Sequence, residues 1–168
     1  MRTRDNRLRR EQRGLAVVEI MIAVGIIGVA LSALAASVPF ATAATRQGQQ
    51  RSTATFLANQ RLEQVRNARW EAGPPAVDAL GVSAAADAPP MSGGLPAFPD
   101  EAAVAGPFAD YARTVRITDC GAAGGCGGIA KADLRQIAVT VTYRPMTGTG
   151  AISAAGSSVT LTTYVTKR

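Results

Sequence analysis

One carboxylate stands where a carboxylate is costly. Glu19 is the single charge in an apolar run from Leu15 to Phe40, and Gly14 lies five positions before it at the edge of that run. Burying it in hydrocarbon costs about 2.5–3.5 kcal/mol even on a lenient scale, so its default reading is functional. The other chemistry-bearing residues are sparse. Cys120 and Cys126 are the only cysteines, and there is no histidine, which removes nucleophilic triads of the common kind. Five small residues between the cysteines can close a ring, so a disulfide is expected in an oxidising compartment. Two thiols without histidine or a second cysteine pair make a poor zinc shell. Asp119 and Asp133 flank that loop and are read as solvated turn residues rather than calcium ligands. Gly148-Thr149-Gly150 and Gly156 imitate a phosphate loop, but no helix follows them. No carboxylate pair stands out, and the chain is read as not an enzyme, with no cofactor and no metal.

The element that positions Glu19 is a helix. From Leu15 to Val38 it spans roughly 36 Å, against a hydrocarbon core of about 30 Å. The preceding arm carries Arg2, Arg4, Arg7, Arg9, Arg10 and Arg13 against Asp5 and Glu11, a bias that keeps it cytoplasmic and sends the rest across. A cleaved secretory signal needs a shorter core than this, and an ordinary anchor gives no reason for Glu19. The net charge of +6 resides mostly in that arm, so the pI gives no support to a nucleic-acid partner, and the few aromatics offer no stacking platform.

Basic leader, Gly14, an apolar residue and Glu19 resemble the class III signal of type IV pilins and type II secretion pseudopilins. The family usually has Phe at the place of Leu15 and Thr-Leu at the place of Ala16-Val17; Leu is tolerated. The resemblance implies cleavage between Gly14 and Leu15 by prepilin peptidase, N-methylation of Leu15, and Glu19 as the assembly carboxylate. It implies partners too: other pilin or pseudopilin subunits and an inner-membrane assembly platform. The implied location is the bacterial inner membrane, single-pass with a periplasmic domain, and then a filament. A minor type IV pilin is the expected function. A minor pseudopilin of type II secretion and a membrane-anchored binding domain that never polymerises are the alternatives.

The expected fold is α+β, a long helix packed on a small antiparallel sheet, in five segments: leader 1–14, membrane and assembly helix 15–40, amphipathic helix 41–71, Pro/Gly-rich loop 72–107, and sheet region 108–168. Pro39 lacks an amide hydrogen and crowds the carbonyl of Ala35, so a kink or melted turn is expected. Gly25 and Gly28 with neighbouring alanines allow close helix approach in lipid. Ala54, Leu57, Ala58, Leu62, Val65 and Ala68 recur at three and four, giving the helix a core face as far as Trp70. The segment Phe56 to Arg66 also resembles the corresponding helix of minor pilins and pseudopilins. Seven of the nine prolines fall between Glu71 and Pro107, where irregular backbone with a helical turn near Asp100–Val104 is expected. Tyr111–Thr118, Leu134–Arg144 and Ser158–Thr166 alternate with period two and read as a half-buried meander.

Overall fold

The computed structural model describes residues 5–71, 79–146 and 151–167, with side chains from Val17 onward. Helix α1 runs from Asp5 to Arg66 without interruption. Pro39 lies inside it, and the expected melted turn does not form. Ser37 Oγ donates to the Leu34 carbonyl at 2.7 Å and Thr42 Oγ1 to the Pro39 carbonyl at 2.9 Å, so hydroxyls bracket the proline with bonds of the kind that bend a helix without breaking it. The helix ends at Arg66, four residues before Trp70. Asn67 and Ala68 close it by backbone bonds to Glu63 and Val65, and Arg69 then bridges to Ala79 instead of continuing the helix.

Three long strands follow the alternation read from the sequence, each within one residue at either end: β4 (Tyr111–Asp119), β5 (Leu134–Tyr143) and β6 (Ser157–Thr166). They form an antiparallel meander with β5 central. Its inner face meets the outer half of α1. Val115, Ile117, Ile137, Val139 and Val141 are sealed against Ala54, Leu57, Ala58, Leu62 and Val65, with Phe98 and Val104 closing the side.

The segment expected to be an irregular loop carries a second sheet. β1 (Val82–Ser83), β2 (Pro90–Ser92) and β3 (Leu95–Pro96) pair antiparallel. Gly93 and Gly94 both take positive φ, 58° and 82°, as a two-residue hairpin turn requires. The helical turn lies at Gly106–Phe108 rather than at 100–104. Residues 72–78 of this segment and the Gly148-Thr149-Gly150 motif lie outside the described residues.

Arg116 pins this segment to β4. Its guanidinium donates to Ala86 O (3.2 Å), Asp87 O (2.6 Å) and Val115 O (2.7 Å), and to both oxygens of Asp100 at 2.6 and 2.8 Å. The hydrogen bond from Arg116 is the main cause holding the Asp100 carboxyl below its ordinary range. A depressed folded pKa contributes stability that is present above the unfolded value, about 3.9, and lost as pH falls through the lower folded value. Below about pH 4 the 82–100 segment is therefore expected to loosen from β4. Unfolding midpoints measured from pH 7 to 2 should fall with a slope that Asp100→Asn flattens.

The expected disulfide is present: Cys120 and Cys126 are joined and, with Leu134, form a small buried cluster. Gly125 takes φ +57°, and a Cβ there would come 2.5 Å from the Ile129 carbonyl oxygen, in the turn where Cys126 and Ile129 exchange backbone bonds. A ring this short stabilises by about 2 kcal/mol through loss of denatured-state freedom. Reduction is expected to lower stability by that amount and leave the β4–β6 circular-dichroism signature intact.

Candidate functional site

The chemistry read from the sequence sits on α1. Every described residue from Val17 to Phe40 is exposed, including Ile20 (63%), Val29 (73%) and Phe40 (69%). A helix this apolar is usually a buried core helix or a membrane span, and none of its apolar window is buried. It is a candidate membrane span, consistent with single-pass anchoring. Gly14 and Leu15 lie on its helical backbone, and Glu19 follows Leu15 by four residues, about 6 Å of rise and one turn. Glu19 is exposed, and its carboxylate has no ion-pair partner among the described side chains. A Cβ added at Gly25 or Gly28 would meet nothing within 4 Å. Nothing among the described residues requires glycine there, and these positions are open to packing by a neighbouring helix.

Toward the C-terminal end of α1, a cluster of charges is buried between the helix and the sheet. Arg113 shares the inward register with Val115 and Ile117 and is only 6% exposed. Its Nε donates to Glu101 Oε2 at 2.8 Å and its Nη1 to the Leu57 carbonyl at 3.2 Å. Arg61 of α1 grips the other oxygen of Glu101 and lies over the Phe98 ring, 5.8 Å from its centroid. Burial first, and then the Arg113 charge, push the Arg61 guanidinium below its ordinary value against the opposing pull of Glu101. One carboxylate thus holds two largely buried guanidiniums, and Glu101 and Arg113 also exchange backbone bonds at 2.9 and 2.8 Å.

At the far end Arg135, again in the inward register, stacks on Trp70 at 4.3 Å and donates to the carbonyls of Trp70 and Leu80. Both arginines interrupt the inward period-two pattern, a signal the sequence reading passed over. Their partners lie 12 and 56 residues away for Arg113 and 55 and 65 for Arg135, beyond the reach of local pattern.

Asp119 is engaged as a turn acceptor for the Gly121 amide at 2.9 Å, and Asp133 uses its backbone carbonyl to hold Lys167 N. Among the described residues no group of three or more His, Cys, Asp or Glu gathers as a metal shell would require. Two open clefts flank the domain. One, about 460 Å³, lies between the end of α1 and β6, lined by Arg66, Arg69, Trp70 and Tyr164. The other, about 660 Å³, lies at the opposite end, lined by Gln50, Asp110, Arg144, Met146 and Ile152.

No protein-family model, curated protein or solved structure matches the chain. The reading of its function therefore rests on its own residues and geometry.

Proposed function

We propose that the chain is a pilin-like filament subunit, a minor pilin of a type IV pilus. In this reading prepilin peptidase cuts between Gly14 and Leu15, Leu15 becomes the N-methylated terminus, and the subunit is extracted from the inner membrane into a filament through α1. The observation that carries it is Glu19, the single acid in the apolar segment of α1 from Val17 to Phe40, which is exposed throughout, one turn beyond the terminus that cleavage would create. The open faces at Gly25 and Gly28 support it, because close-packed identical helices are where a missing side chain has value. The α+β body, a helix laid across an antiparallel meander with a disulfide-closed loop, is compatible with that architecture.

The test is the intact mass of the full chain expressed with and without a prepilin peptidase, before and after reduction. The expected result is loss of residues 1–14 and gain of one methyl group only when the peptidase is present, with two further hydrogens gained on reduction. An uncut chain, or a cut elsewhere, overturns the filament reading and leaves an anchored extracytoplasmic domain.

A further inference from the structure

The end of the domain nearest the candidate span presents an exposed apolar side chain beside cations. Arg144, Met146 and Ile152 project there from the segment between β5 and β6. That segment is closed by the Met146–Ile152 bridge and by Ser153 N donating to Pro145 O at 2.8 Å. It is held to α1 low on the helix: Met146 N donates to Gln50 Oε1 at 3.3 Å, Gln50 Nε2 to Arg144 O at 3.5 Å, and Arg46 Nη1 lies 3.8 Å from Met146 Sδ. Ile152 is 66% exposed beside these cations.

The helix sets the height of this surface. Arg46 is six residues beyond Phe40, where the apolar run ends, which is about 9 Å of rise. The headgroup layer on each side of the hydrocarbon is roughly 5–8 Å thick, and an arginine reaches downward on a flexible apolar stem. Spanning helices also tilt by about 20°, lowering whatever hangs on one side. The charge on this level is predominantly positive. Between Glu19 and Arg61 the helix carries Arg46 and Arg51 and no acid, and among the described residues between β5 and β6 Arg144 is the one charge. Asp110 is the acid that lines the same cleft.

Resting on the reading of α1 as a membrane span, we infer that this underside is a docking surface for anionic phospholipid. Arg46, Arg144 and, further out, Arg51 meet lipid phosphates while Ile152 and Met146 enter the interface beside them. The contact fixes the domain against the leaflet while the subunit is still in the membrane. Apolar side chains and clustered cations on one face are what an anionic lipid surface selects.

The test uses the full chain in lipid nanodiscs of phosphatidylcholine, with or without phosphatidylglycerol, each doped with a phosphatidylcholine bearing a nitroxide on its headgroup. The parent chain has one indole, Trp70, at the far end of the domain, and its emission should be unaffected. In the variant Trp70→Phe/Ile152→Trp, emission should be at least halved by the nitroxide in the anionic discs and much less in the neutral ones. Adding Arg46→Gln and Arg144→Gln should remove that difference. Equal quenching in both discs would overturn the anionic specificity, and no quenching in a chain that co-purifies with the discs would overturn the docking surface. A chain that fails to enter the discs at all would overturn the membrane-span reading, and this inference with it.

Discussion

Glu101→Ala is expected to be the most damaging single substitution in the folded domain, lowering its stability by about 3–4 kcal/mol. The carboxylate holds Arg61 and Arg113, whose side chains are 13% and 7% exposed. Removing it leaves two guanidiniums facing each other with water largely excluded. The desolvation already suffered by both is then uncompensated, which is why breaking a buried pair costs more than the pair contributes when intact. Glu101→Gln should cost nearly as much, since it retains an acceptor but not the charge. The double variant Glu101→Leu/Arg113→Met should recover part of the loss, because it removes the buried cation together with its partner. Glu63→Ala serves as the control. Its ion pair with Arg66 joins side chains 59% and 50% exposed, so it should change stability by no more than about 0.5 kcal/mol. Urea unfolding of the full chain in detergent, followed by the fluorescence of Trp70 beneath Arg135, reads all four. A loss below that of the Glu63 control would mean the cluster is solvated enough to do without its anion.

That cluster also marks where the sequence stops being readable. The three long strands and the core stripe of α1 were legible because each buries one face, and burial on one face writes a period of 2 or 3.6 directly into the residue types. The segment from Ala79 to Pro107 buries its residues in short, irregularly spaced groups (Ala79–Gly81, Pro90, Ser92, Ala97–Phe98, Val104), against a core built elsewhere. Pro90 and Ser92 are buried while Met91 between them is exposed, a run too short to show a period. The Gly93-Gly94 pair was the one local signal of a hairpin there, and flanking prolines masked it. Arg116, Arg113 and Arg135 organise this region through carbonyls and carboxylates between 12 and 65 positions away, apart from Arg116's bond to adjacent Val115, and such pairings follow from topology rather than from local pattern. The helix end shows the same limit. Ala68 and Trp70 pack against the core as the stripe implies, but Arg69 is drawn into a bridge with Ala79, so apolar spacing continues past the point where the helix stops.

The apolar half of α1, the candidate span, was legible for the opposite reason: its signal is composition, which needs no partner. Glu19 stood out only as an anomaly, and the role proposed for it is the sharpest consequence of the proposed function. Glu19→Gln is expected to separate two steps that other changes would affect together. In the membrane-inserted monomer the substitution removes a carboxylate whose burial costs about 2.5–3.5 kcal/mol, so insertion should be as good or better. Cleavage after Gly14 should continue. Assembly should fail: in the proposed function, cleavage creates a cation at Leu15, and a neighbouring Glu19 is the anion that would neutralise it when helices pack in register in low dielectric. With glutamine in place, every subunit interface retains one unpaired amine. At about 3 kcal/mol for an uncompensated buried charge, and 1.4 kcal/mol per tenfold, incorporation into filaments should fall by about a hundredfold. The measurement is the ratio of this chain in sheared filaments to that in membranes, by immunoblot, with cleaved mass checked in parallel. Normal incorporation of the Gln variant would show that register is set by helix packing alone. Reduced membrane insertion would place the role of Glu19 before assembly. Only preserved insertion and cleavage with lost incorporation match a carboxylate whose partner is the amine of another subunit.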